Sequence, residues 1–169
     1  TKRALVSCDV PQGPASAGME AAAGAAIRLA KEGGADMVKV LGTPDLVRAI
    51  VRAGVPVFAE FHGENVTPDK LVDEARRLEE AGATMLDFRH SGPIAGAAVV
   101  KAVSVPVIGG LGGGPWLDGR VRLAHTAIGY GAKWIDSRTE TYANTAKLSL
   151  QAFTALIEDV RAGRQIKGG

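Results

Sequence analysis

The chain repeats itself at a spacing of about fifty residues, and this periodicity limits the possible folds more than any other feature. A helix, Gly-Ala, apolar-run junction occurs three times, as EGGADMVKVLG (32–42), EAGATMLDFR (80–89) and GYGAKWIDSR (129–138). Its alanines, Ala35, Ala83 and Ala132, are 48 and 49 positions apart. A second junction, Val-Pro-Val, occurs in GVPVFAEFH (54–62) and SVPVIGGLG (104–112), with Pro56 and Pro106 separated by 50. Glycine just past a helical stretch supplies the left-handed residue that ends a helix. Proline at the first residue of a strand gives up a donor where the ladder has not begun. The short apolar runs that follow read as buried parallel strands.

Between these runs, amphipathic stretches over roughly 18–32, 44–53, 67–81, 93–102, 118–129 and 143–162 read as helices. Thr67-Pro68 opens the third as cap and first-turn proline, ahead of the apolar stripe in LVDEARRLEEAG. Counting from RALVSCDV (3–10) to the run ending in IDSR (135–138), six strands are each followed by a helix. Such repeats build either a barrel or a doubly wound sheet, and near-equal units with strictly alternating junctions favour the barrel. A complete (β/α)8 barrel needs about 250 residues. The expectation is therefore an α/β fold in which residues 1–169 form a single partial TIM-type barrel domain of about six βα units, strands three to eight. The chain starts at Thr1 inside a strand, as if two N-terminal units were absent. Such a barrel exposes apolar edges, so a homo-oligomer or a companion segment completing it is expected; an open six-stranded sheet is the alternative and would need the same cover.

Composition excludes several classes. Of 169 residues 46% are hydrophobic and 22% charged, and the net charge is +2, as in an ordinary globular protein. No basic run carries interleaved aromatics, so nucleic acid is not expected as a partner. No apolar stretch reaches eighteen residues, so a membrane is not expected either. Cys8 stands alone and cannot form an internal disulfide. With no signal peptide in view, the expected location is cytoplasmic.

In a barrel of this kind, chemistry sits where strands end. The strand ends here carry Asp9; Lys39; Glu60 and His62; Asp87 and Arg89; glycines within 109–114; and Asp136 and Arg138. Residues two apart on a strand share a face, so Glu60/His62, Asp87/Arg89 and Asp136/Arg138 are same-face pairs. Each has a bland reading as well. Asp9 before Val10-Pro11 suits a loop cap as well as a metal ligand. Lys39 ends an apolar strand and needs either an interior partner, Asp9 or Asp87, or a ligand. Asp87–Arg89 reads equally as a structural ion pair. His62, His90 and His125 read as loop histidines, Cys8 should face the helices, and Trp116 and Trp134 read as packing residues. The glycine-dense PVIGGLGGGPWLDGR (106–120) invites a phosphate reading, but it is not a GxGxxG fingerprint and no Walker sequence is present. No histidine pair has zinc spacing.

The ordered set LVSCDVPQG, GADMVKVLG, GVPVFAEF…TP, LEEAGATMLDF, SVPVIGGLGGG and DGRV resembles the ketopantoate hydroxymethyltransferase family of the phosphoenolpyruvate/pyruvate barrel superfamily, over about Arg3 to Ile166. The resemblance implies transfer of a one-carbon unit from methylene-tetrahydrofolate to a small 2-oxo acid, a step of pantothenate biosynthesis, with Mg²⁺ or another divalent metal assisting enolate formation. It implies Asp9 as a metal ligand and Lys39 as a keto-acid ligand. An acid expected two residues beyond that lysine is Leu41 here, the expected histidine on the next strand aligns with Glu60, and the expected glutamate base aligns with Arg89. The family's first metal aspartate lies N-terminal to the residues present. The resulting assignment has Asp87 or Glu60 as catalytic base, Lys39, Arg89 and His62 as substrate-binding residues, and Asp9 on the metal. The alternatives are another lyase or hydrolase of the same barrel superfamily, or a non-catalytic homologue acting as a binding or assembly subunit.

Overall fold

The structure, a computed structural model, describes residues 4–110 and 114–168. Gly112 and Gly113 of the expected rim glycines lie outside the described residues. Two compact units emerge, residues 1–121 and residues 122–169.

The first unit holds a six-stranded parallel sheet, β1 (Ser7–Asp9), β2 (Met37–Leu41), β3 (Val57–His62), β4 (Met85–Arg89), β5 (Val107–Gly110) and β6 (Gly119–Val121), in the order β1-β2-β3-β4-β5-β6. Sequence neighbours are spatial neighbours throughout, with no switch point at which the order reverses. That excludes a doubly wound sheet and leaves a curled portion of a (β/α)8 barrel. Among the described residues the connecting helices are α1 (Gln12–Ser16), α2 (Met19–Lys31), α3 (Pro44–Arg52), α4 (Pro68–Glu80) and α5 (Pro93–Ala102). No described helix is long and apolar enough to cross a membrane.

Both junction types act as their chemistry requires. Gly54 and Gly82 follow α3 and α4 with φ of +82° and +97°, the left-handed conformation that turns the chain back into the next strand. Pro56 and Pro106 cannot donate, yet each opens a ladder through its carbonyl, which accepts from Val38 N at 3.0 Å and from Leu86 N at 2.9 Å. Thr43 caps α3 through its side chain, whereas Thr67 precedes Pro68 without a side-chain cap bond.

Alternation along the strands sorts the two faces. Val38, Val40, Val57, Ala59, Phe61, Leu86 and Phe88 point into one core with Ala22 and Ala26 of α2, Val47 and Ile50 of α3, Leu71, Ala75 and Leu78 of α4, and Val99 of α5. Phe61 and Phe88 stack with centroids 4.4 Å apart. The opposite face of β2–β4 carries Lys39, Phe58, Glu60, His62, Asp87 and Arg89. Burying the first face fixes the register and commits these polar residues to the second.

The sixth strand is not the expected one. Residues 119–121, read from sequence as part of a helix starting at 118, form β6, because the preceding Asp118 clamps the start of β5. Its N–H donates to Val107 O at 2.9 Å and its carboxylate accepts from Val107 N at 2.9 Å. In the second unit, α6 is the short Ala124–Ala127 helix, Ala132–Trp134 is a 3-10 turn where a strand was expected, and α7 spans Thr145–Arg161. The Asn144 side chain explains that outcome: its amide donates to Trp134 O at 2.9 Å while its oxygen caps α7 at Lys147 N, tying 132–134 to a helix start.

Candidate functional site

Five of the predicted site residues meet on the face of β2, β3 and β4 turned away from the helices. Glu60 and Asp87 are register partners, His62 and Arg89 are register partners, and Lys39 pairs with Phe58, one step back from Glu60. The Lys39 ammonium lies between two carboxylates, bonded to Glu60 Oε2 and 2.8 Å from Asp87 Oδ2. It also sits 5.7 Å from the centre of the Phe58 ring. Glu60 Oε1 accepts from Arg89 Nη1 at 2.8 Å and lies 2.9 Å from His62 Nε2.

These groups are largely withdrawn from water: Glu60 is 8% exposed and Asp87 1%. Burial pushes the Glu60 carboxyl up, but hydrogen bonds from Lys39 and Arg89, reinforced by their charges, outweigh it and hold the group at about 2. Burial likewise pulls the Lys39 ammonium down, and its bonds to Asp87 and Glu60 reverse that, leaving it above its ordinary value. The bond to Glu60 raises Arg89 as well. The two carboxylates thus favour the protonated form of Lys39, which cannot attack a carbonyl. Asp87 Oδ1 is buried without a hydrogen-bond partner, which leaves an acceptor lone pair beside that cation.

Some expected pairings form and others do not. Lys39 takes Asp87, one of the two interior partners considered, and adds Glu60. Arg89 pairs across strands with Glu60, not along its own strand with Asp87. Asp9 is the register partner of Lys39 but is exposed. Among the described residues its side chain has no ion pair or hydrogen bond. Cys8 lies opposite Val38 on the helix side. His90 lies 3.6 Å from Glu64, in a loop. Asp136 and Arg138 belong to the second unit and to no strand. Leu41, where the resemblance leads one to expect an acid, is 65% exposed. It borders a cleft of about 1300 Å³ that is also lined by Met19, Leu46, Glu60, His62 and Val66. No sequence signal announced this cleft, because it depends on how the helix starts are spaced around the sheet.

Among the described residues no three His, Cys, Asp or Glu side chains converge to hold a metal ion. Glu60 and Asp87 already share one ammonium, whose charge opposes a divalent ion there. Asp9, the expected metal ligand, stays outside that network. The described residues therefore do not by themselves fit the divalent-metal centre implied by the resemblance.

The glycine-dense stretch has a packing role where it is described. A Cβ on Gly114 or on Gly96 of α5 would fall 2.2 Å from the Trp116 ring, so these glycines form a seat for the indole. The Trp116 Nε1 then donates to the buried Ser91 Oγ at 3.0 Å.

The sequence profile of the ketopantoate hydroxymethyltransferase family matches residues 1–64 and 60–165. The 3-methyl-2-oxobutanoate hydroxymethyltransferase of Thermobifida fusca is 33% identical over 96% of this chain and 64% of its own length; that of Geobacillus kaustophilus is 31% identical over 93% and 63%. The chain thus spans less than two thirds of the length of these relatives. In fold alone it is similar to a crystal structure of an isomerase from Streptomyces coelicolor, with a TM-score of 0.50, 24% identity, and coverage of 62% of this chain and 32% of that one.

Proposed function

The chain belongs to the ketopantoate hydroxymethyltransferase family, and from that premise we propose that it acts on a small 2-oxo acid through an enolate, adding a one-carbon hydroxymethyl unit. The observation that supports this reading is the Lys39 ammonium fixed beside Asp87, whose second oxygen is unpartnered. Lys39 and Arg89, with His62 at the rim, supply the donors for a carboxylate and an adjacent ketone oxygen. A cation held at that oxygen stabilises the charge of an enolate as it forms. Asp87 Oδ1 takes the proton from the carbon next to the ketone. Water takes the one-carbon unit from the two nitrogens of the co-substrate methylene-tetrahydrofolate, releasing tetrahydrofolate and supplying the hydroxyl oxygen; the electron pair left on the substrate carbon forms the new C–C bond, and the proton held by Asp87 returns to the alkoxide so formed. Of the two candidate bases, Asp87 is favoured over Glu60, because a carboxylate held at about 2 is a weak proton acceptor at neutral pH. No step here runs through a divalent metal; Asp9 is retained as the ligand the described residues would offer it. A homo-oligomer or companion segment covering the open sheet edges, and a cytoplasmic location, belong to the same reading.

The test is exchange of the C3 proton of 3-methyl-2-oxobutanoate in heavy water, followed by proton NMR with and without Mg²⁺. Exchange that falls by about 100-fold or more in Asp87→Asn supports the assignment. Absence of exchange with every 2-oxo acid tried, in the wild type, would leave a binding or assembly subunit instead.

A further inference from the structure

One carboxylate in the site has more partners than a base or a simple structural ion pair needs. Glu60 receives Lys39 on Oε2 and both Arg89 and His62 on Oε1, so donors from β2, β3 and β4 converge on it. Arg89 and His62 also face each other in register, which places their polar ends around one point. A set of donors, two of them cationic, closing on both oxygens of a carboxylate is the arrangement that would bind a carboxylate ligand. Here a residue of the protein occupies it.

Charge counting sharpens the point. In formal charge, Lys39 and Arg89 balance Glu60 and Asp87. A 2-oxo acid entering alongside Glu60 would leave an uncompensated anion in a part-buried site, which is costly. An acid that replaces Glu60 keeps the balance, and the displaced side chain has somewhere to go. Glu60 and His62 line the cleft of about 1300 Å³ bounded by Leu41, Leu46 and Val66.

We propose that Glu60 is an internal stand-in for the substrate carboxylate, filling a cradle made by Lys39, Arg89 and His62, and that an external carboxylate binds by displacing it into the adjoining cleft. The proposal depends on the 2-oxo-acid reading only for the identity of the displacing ligand. Glu60 thereby sets the affinity and specificity of the site: only an anion that matches its own contacts competes with it. Displacement would also uncover Asp87, which lies directly opposite Glu60 on β4.

The sign of the predicted effect is unusual for a residue at the centre of a site. Removing the Glu60 carboxylate strengthens ligand binding. The experiment measures acetate and 3-methyl-2-oxobutanoate binding by calorimetry at pH 7 and constant ionic strength, for wild type, Glu60→Gln and Glu60→Asp. Thermal unfolding with added acetate, against chloride, is followed in parallel. Glu60→Gln has lost its internal anion and should bind acetate at least tenfold more tightly than wild type, with a melting temperature that rises with acetate as linkage requires. Glu60→Asp, one methylene shorter, reaches the cradle poorly and should fall between the two, which provides a second variant if the glutamine form does not fold. Acetate affinity equal to or weaker than wild type in both variants would overturn the proposal, even if 3-methyl-2-oxobutanoate still binds and the substrate reading stands. Tightened acetate binding with no added affinity for the 2-oxo acid would support the cradle while removing the substrate reading.

Discussion

Replacing Lys39 with methionine keeps an unbranched side chain one heavy atom shorter and removes the ammonium that neutralises Glu60 and Asp87. Glu60 keeps Arg89 and His62, but Asp87 Oδ2 loses its partner and Oδ1 has none. Removing one partner of a fully buried ion pair costs about 3–5 kcal/mol. The Lys39 side chain is 20% exposed and part of the network survives, so about 2–3 kcal/mol is the expected loss here. For a protein of this size that corresponds to a melting temperature lower by roughly 4–12 °C. Urea unfolding followed through the emission of Trp116 in a Trp134→Phe background, so that the signal comes from the first unit, gives the difference. Its pH dependence has a definite sign. Glu60 is held at about 2, below the ordinary 4.5, so its network contributes stability that is complete above pH 4.5 and is lost as pH falls through 2. Without Lys39 less of that depression remains, so wild type should lose more stability on acidification and the gap between the two should narrow at pH 3. A variant within 0.5 kcal/mol of wild type at pH 7, or a gap that is unchanged at pH 3, would refute the argument.

Phe88→Ala empties the centre of the core, where the ring is fully buried and stacked on Phe61; a loss of about 3–5 kcal/mol in urea unfolding is expected, with the polar face of the sheet unchanged. Gly96→Ala would raise helix propensity in an isolated helix, yet its Cβ would overlap Trp116 and break the bond to Ser91. The net result should be a loss of about 1–3 kcal/mol and a red shift of tryptophan emission, whereas an unchanged spectrum would argue against the indole seat.

Much of this fold is legible in the sequence because its signals are local. Glycine after a helix, proline at a strand start and an apolar run are each recognised within a few residues, and their repetition predicts helices close to α2–α5 and strands β1–β5. The failures came where a long-range contact decided the outcome. Nothing between Asp118 and Arg120 marks a strand; its ladder exists because Asp118 meets Val107, eleven residues back. The GYGAKWIDSR segment has the same junction as true strand starts, but its pairing goes to Asn144 instead of a sheet. The cleft beside Leu41 had no local signal at all.

The same division runs through the site. Alternation along a strand is a property of sequence, so Glu60 with His62, and Asp87 with Arg89, could be assigned to common faces without a structure. Which charge neutralises which could not, because residues two apart on one strand are separated along the chain direction while residues on neighbouring strands are brought opposite by register. Burial of Val38, Ala59 and Leu86 against the helices sets that register, and the register places Lys39 between Glu60 and Asp87 and turns Arg89 toward Glu60. The sequence determined the residue types and the face they occupy. The packing of the opposite face decided that four of them form one network of two cations and two carboxyl groups centred on Glu60.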